Sequence, residues 1–263
     1  MRQEQGALAR PGEGIFPLRT PGADGQHEPR LIEGRFIAFL GGSETSARRV
    51  AVPYPALLER ELGEPCLNFG LHNGSVEAAL RDPAVLLACR QAVLTVVSVT
   101  GAGGLSNRLY SVHPRRNDRF TRPSDTLRLL MPEVDFAEIC FTRHLLGTLR
   151  AVAPDRFARV RAELRTAWLA RMRMLLDTIG PRVLLLWFAS VPPDEEEAED
   201  SGPLGPEPLF VSAPMLRVLE PMVRATVVVP RAPLDEAAHA AAAAALLTPI
   251  RALLPPKGER AAG

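Results

Sequence analysis

The residues best equipped for chemistry close the stretch Phe36-Ile-Ala-Phe-Leu-Gly-Gly-Ser-Glu-Thr45. Ser43 is the first side chain after a Gly-Gly turn. Its hydroxyl there serves as a nucleophile or ligand contact, or it caps the next helix. Three more polar clusters follow apolar runs: Asn68-Phe-Gly-Leu-His-Asn-Gly-Ser75, Gly101-Ala-Gly-Gly-Leu-Ser-Asn107 and Pro233-Leu-Asp-Glu-Ala-Ala-His239. Their members also have structural uses. Asp235 suits a helix N-cap with His239 on the first turns beyond it, and Asn107 and Gly74 suit turns. His72 and His113 sit on these loops as ligand contacts or as surface residues. Arg115, Arg116, Arg119 and Arg122 share one segment. Four guanidiniums there grip a carboxylate, sulfate or phosphate, or pair with the acidic tract at 194–200.

These clusters need elements to hold them. Residues 36–40, 66–69, 93–99, 183–189 and 225–229 read as short apolar strands, most of them followed by Gly or polar residues. Helix signals lie between them. Pro53 opens a helix that Gly63 closes; Asp82-Pro83 starts another; Asp135 starts one reaching about residue 152; Pro154 opens a long one stopped by Gly180-Pro181. A short helix follows over 214–223, and an Ala-rich one over 235–254. Alternating strands and helices predict an α/β fold, a three-layer α/β/α sandwich. Its five-stranded parallel sheet takes the flavodoxin-like order 2-1-3-4-5, and ligands bind beyond the strand C-termini. Residues 108–134 read as a long loop on that side. The expected organisation is a loose arm over 1–30, one domain over 31–254 and a disordered tail over 255–263.

Composition excludes several classes. With 31 basic and 30 acidic residues the net charge is +1, so no overall field draws in nucleic acid. No apolar run approaches a membrane span, and the N-terminus lacks an apolar signal core, so a cytoplasmic protein is the default. The three scattered cysteines form neither a disulfide framework nor a zinc motif. There is no GxxxxGK[ST], no dinucleotide-binding GxGxxG, and no histidine pair at metal-ligand spacing. No metal and no cofactor are therefore expected.

In order, the four loops offer serine, glycine, asparagine, then acid and histidine. This resembles the SGNH (GDSL-like) hydrolase superfamily over about residues 35–252. The family's Gly-Asp-Ser matches Gly41-Gly42-Ser43, with Gly42 where the family has Asp. Its oxyanion glycine matches Gly74 or Gly70. Its Gly-x-Asn-Asp matches Gly104-Leu-Ser-Asn107, with one extra residue and Arg108 in place of the Asp. Its Asp-x-x-His matches Glu236-Ala-Ala-His239, with Asp235 as an acid at different spacing. GGSET and SNRLYSVHPRRNDRF also resemble an uncharacterised bacterial family of that fold. The SGNH resemblance implies an esterase in which Ser43 attacks, His239 is the base and Glu236 or Asp235 orients it. Ser43, Gly74 and Asn107 then form the oxyanion hole. The expected substrate is a small-molecule or glycan ester, anionic where the arginine segment, His72 and His113 meet it. The alternatives are an acyltransferase to a sugar hydroxyl and a non-catalytic binding protein on the same fold. Oligomeric state is left open.

Overall fold

The computed structural model describes residues 18–21, 27–30, 34–193, 204–233 and 235–256. In chain order the elements begin with β1 (Leu18–Pro21) and β2 (His27–Arg30), then β3 (Ile37–Leu40), α1 (Ser43–Ser46), α2 (Tyr54–Leu62) and β4 (Cys66–Asn68). Next come α3 (Val76–Leu80), α4 (Pro83–Gln91), β5 (Leu94–Ser98), β6 (Tyr110–Val112), β7 (Phe120–Pro123) and α5 (Asp125–Leu130). The rest are α6 (Thr142–Val152), α7 (Pro154–Ile179), β8 (Val183–Ala189), α8 (Ala213–Arg217), β9 (Ala225–Pro230) and α9 (Glu236–Leu253). The five central strands are all parallel, in the order β4-β3-β5-β8-β9. That is the predicted 2-1-3-4-5 arrangement, with each expected strand present to within one residue at either end.

Burial on both faces explains why β3, β5 and β8 are almost wholly apolar, whereas the edge strand β9 is only partly covered. Along β8, Val183, Leu185, Trp187 and Ala189 join the core beneath α3, α4, α6 and α7, whereas Leu184, Leu186 and Phe188 face α2 and α9. The layers are therefore helix, sheet, helix. The long helix α7 turns Phe157, Val160, Leu164, Trp168, Met172 and Leu175 inward, at the three- and four-residue spacing of one helical face. Trp168 is fully buried, and its Nε1 donates to the Thr100 carbonyl at 2.8 Å, tying the helix to the end of β5.

Three stretches differ from the sequence reading. The long loop expected over 108–134 contains an antiparallel hairpin, β6 with β7, followed by α5. Here Phe120 and Tyr110 alternate inward with Val112, a period-two pattern that the surrounding arginines obscure. The helix expected from Asp135 begins only at Thr142. Asp135 Oδ1 instead accepts the Ala137 N–H in a local turn, and Phe136 and Ile139 are buried from a stretch of turns that forms no helix. Within the arm, β1 and β2 pair antiparallel, and the remainder of residues 1–33 lies outside the described residues. So do most of the acidic tract, 194–203, and the tail from 257. No helix among the described residues is long and apolar enough to cross a membrane.

Candidate active site

Gly42 brings two loops together at the end of β3. A Cβ on this residue would lie 2.9 Å from the Gly74 carbonyl oxygen and 2.9 Å from a Glu44 carboxylate oxygen, so only glycine fits. Gly70 is tighter still, since a Cβ would lie 2.2 Å from the Ser46 nitrogen. These approaches press the turn after β3 against the loop after β4. As a result Ser43, the first residue of α1, meets His72 and Asn73. Ser43 Oγ lies 3.1 Å from His72 Nδ1 and 3.3 Å from Asn73 Oδ1, and it accepts the Asn73 N–H at 3.0 Å. Asn73 Nδ2 in turn donates to Asp118 Oδ2 at 3.2 Å.

Ser43 opens into a cleft of about 400 Å³ lined by Glu44, Asn73, Gly74, Asn117, Asp118 and Arg143, among others. At its rim Arg143 pairs with Glu207. Its floor is braced by Asn117, only 1% exposed. The Asn117 Oδ1 accepts the Ser75 N–H at 2.7 Å and lies 2.7 Å from Ser75 Oγ, while its Nδ2 donates to the His113 carbonyl. Behind Ser43, Glu44 Oε1 accepts the Gly42 N–H at 2.7 Å and holds the turn closed. Desolvation keeps the Glu44 carboxyl above the ordinary carboxylate range, against the pull of these hydrogen bonds.

The other sequence-predicted residues occupy different places. His239 is fully buried on the inner face of α9 with Ala242, Ala243 and Leu246. Its Nδ1 accepts the Tyr54 N–H at 3.2 Å, and its ring stacks on Tyr54 and meets Phe188 edge-on. No hydrogen bond joins it to Ser43. Burial lowers its pKa, opposed by the Pro233 carbonyl and the Asp235 charge. Asp235 caps α9 by accepting the Ala238 N–H at 2.8 Å, and Glu236 is exposed in the first turn. Asn107 is committed to its own loop. Its Oδ1 accepts the Leu109 and Tyr110 N–H groups and its Nδ2 donates to the Leu105 carbonyl. The Gly74 N–H donates to the Leu71 carbonyl at 2.7 Å, and the Gly70 N–H to Asn68 Oδ1.

The arginine segment divides. Arg115 lines a second cavity together with His72 and His113. Arg119 places its guanidinium 4.1 Å over the Phe141 ring. Arg116 and Arg122 are exposed and line neither the cleft nor that cavity. His113 Nδ1 accepts the Arg115 and Arg116 N–H groups, ordering the tip of the hairpin. Among the described residues no group of three or more His, Cys, Asp or Glu could hold a metal ion.

Asn73, Asn117, Asp118, Arg143 and Glu207 carry the site without having been singled out by sequence. The Asn117-Asp118 dipeptide is the signal that could locate two of them. Arg143 and Glu207 meet only through the fold, 64 positions apart.

Comparison with curated proteins finds no match. Among solved structures, the chain is similar to the lipase Lip_vut3 from goat rumen metagenome at 12% identity and a TM-score of 0.39. The alignment covers 86% of this chain and 99% of that one, a likeness too distant to carry a functional argument. Family comparison is decisive by contrast, because one profile matches residues 25–253: the chain belongs to the family described as Domain of unknown function (DUF6473).

Proposed function

We propose that this protein is a serine hydrolase acting on an ester, with Ser43 as nucleophile and His72 as its base, on an SGNH-like layout. The observation that carries the reading is the 3.1 Å approach of Ser43 Oγ to His72 Nδ1 at the mouth of the cleft. A serine hydroxyl becomes an effective nucleophile when a neighbouring imidazole takes its proton. The Asn73 N–H pointing at Ser43 Oγ adds a donor that stabilises the developing alkoxide. Ser43 Oγ then bonds to the ester carbonyl carbon, and the alcohol leaves with the proton held by His72. Water, or an acceptor hydroxyl in a transferase, resolves the acyl-enzyme. The substrate is a small-molecule or glycan ester, and the setting is cytoplasmic, in keeping with three unpaired cysteines.

A second reading, a non-catalytic binding protein, draws on one observation. The Gly74 N–H and the Asn107 amide, the donors that the SGNH resemblance assigns to the oxyanion, are both committed to turn hydrogen bonds. Active-site labelling separates the two. A fluorophosphonate probe followed by peptide mapping should mark Ser43, and Ser43→Ala and His72→Ala should each abolish the mark. Folded protein that stays unlabelled by a panel of acyl and phosphonate probes would establish the binding-protein reading instead.

A further inference from the structure

The reaction proposed above uses the cleft beside Ser43 and leaves a larger cavity unexplained. This cavity, about 1220 Å³, lies between the ends of β3 and β4, helices α3 and α4, and residues Met172 and Leu175 of α7. It is larger than the few hundred to about 1,000 Å³ of an ordinary small-molecule site. Its wall and its mouth differ in character. Leu40, Val76, Val97, Met172 and Leu175 are buried side chains that make an apolar wall. At the mouth stand Arg48 and Arg115, both exposed, beside His72 and His113. Neither arginine has an ion-pair partner among the described residues. The other charged lining groups are already engaged. Arg81 is paired with Glu77, and Asp82 accepts the Ala84 and Val85 N–H groups as the cap of α4. With Arg81 matched by Glu77, Arg48 and Arg115 outweigh the single Asp82 carboxylate, so the lining keeps a net positive charge beside its apolar wall.

His72 lines this cavity while its Nδ1 touches Ser43, which lines the cleft. Ser75 and Thr100 line both spaces. A ligand whose chain fills the cavity thus presents its head at the Ser43–His72 pair. We infer that the larger cavity binds the apolar chain of an anionic amphiphile, an alkyl carboxylate or alkyl phosphate, with its anionic head held by Arg48 and Arg115. Guanidinium groups suit either head through paired N–H donors. The inference rests on the proposed hydrolase reading only in making the alkyl carboxylate the acid released when water resolves the Ser43 acyl-enzyme.

Calorimetric titration of the full chain with decanoate, decyl phosphate and decanol tests it. Decanoate or decyl phosphate should bind saturably, the tighter of the two naming the head group, and decanol should bind at least about tenfold more weakly. The double substitution Arg48→Glu, Arg115→Glu lies on the surface and should reduce binding of the anionic probe by about tenfold or more. Val85→Trp, which fills the cavity from α4, should do the same. Absence of saturable binding by both anionic probes, equal affinity for decanol, or binding unchanged by both variants would overturn the inference. If Ser43 resists labelling while the amphiphile still binds, the hydrolase reading fails and the binding site stands.

Discussion

At the Ser43 hydroxyl, three atoms fix the geometry: His72 Nδ1, Asn73 Oδ1 and the Asn73 N–H. The hydroxyl proton goes to the imidazole or to the amide oxygen, and only the first arrangement prepares a nucleophile. His72→Ala should therefore lower ester turnover as far as Ser43→Ala does. The double variant should be no worse than either, because members of one catalytic unit do not add. His239→Gln, remote from the hydroxyl's hydrogen bonds, should leave kcat/KM within a few-fold of the parent; steady-state kinetics on a short-chain ester decides the matter. Asn117 makes a different prediction. Removing its amide strands the Ser75 N–H in a buried position, which costs about 1–3 kcal/mol. Urea unfolding of Asn117→Ala should show that loss as a lower midpoint with an unchanged slope.

Elements set what the residues can do, and at Gly70 two of them pass backbone against backbone. Gly70→Ala drives a Cβ into the Ser46 backbone, so it should destabilise more than any exposed helix substitution and disturb the Ser43 turn as well. A fall in Tm accompanied by loss of Ser43 labelling is the expected result. Helix α9 carries a pH signature. His239 is packed against Tyr54 from α2 and Phe188 from β8, with Pro233 and Asp235 nearby, and burial lowers its native pKa below the ordinary 6.5. The unfolded chain thus binds the proton more readily than the native one. The stability contributed by neutral His239 is complete above pH 6.5 and is lost as pH falls from there through the lowered native value. Thermal melts across that window should show this slope in the parent, and His239→Gln should flatten it.

Over the whole molecule, α7 is the beam that joins the core to the site. Its Trp168 is buried in the larger of the two cores and bonds the Thr100 carbonyl, and Thr100 borders both the cleft and the larger cavity. Trp168→Phe keeps most of the apolar contact and loses the hydrogen bond, a cost of about 1 kcal/mol. Trp168→Ala also opens a cavity and should cost about 3–5 kcal/mol. Denaturant unfolding measures both. A large gap between the two variants would show that packing, and not the single bond, anchors the strand end.

The sequence by itself determined the five central strands, the long helix and the sheet order, because these rest on local patterns. Apolar β-branched runs, Asp82 before Pro83, and Gly180 after the apolar face of α7 act over a few residues and are written out in the chain. Ser43 was likewise legible as the side chain presented beyond the first strand. What it meets there was decided only by tertiary structure. Ser43 and His72 are 29 positions apart, and Ser75 and Asn117 are 42 apart. No local propensity can say which of five histidines closes on the serine. Asp235 capping α9 turns His239 toward Tyr54 and the core, and the hairpin of β6 and β7 carries Asn117 beneath the cleft while Asn107 stays within its own turn. Those outcomes depend on how close two loops can pass, which Gly42 and Gly70 permit and only the packed sheet enforces.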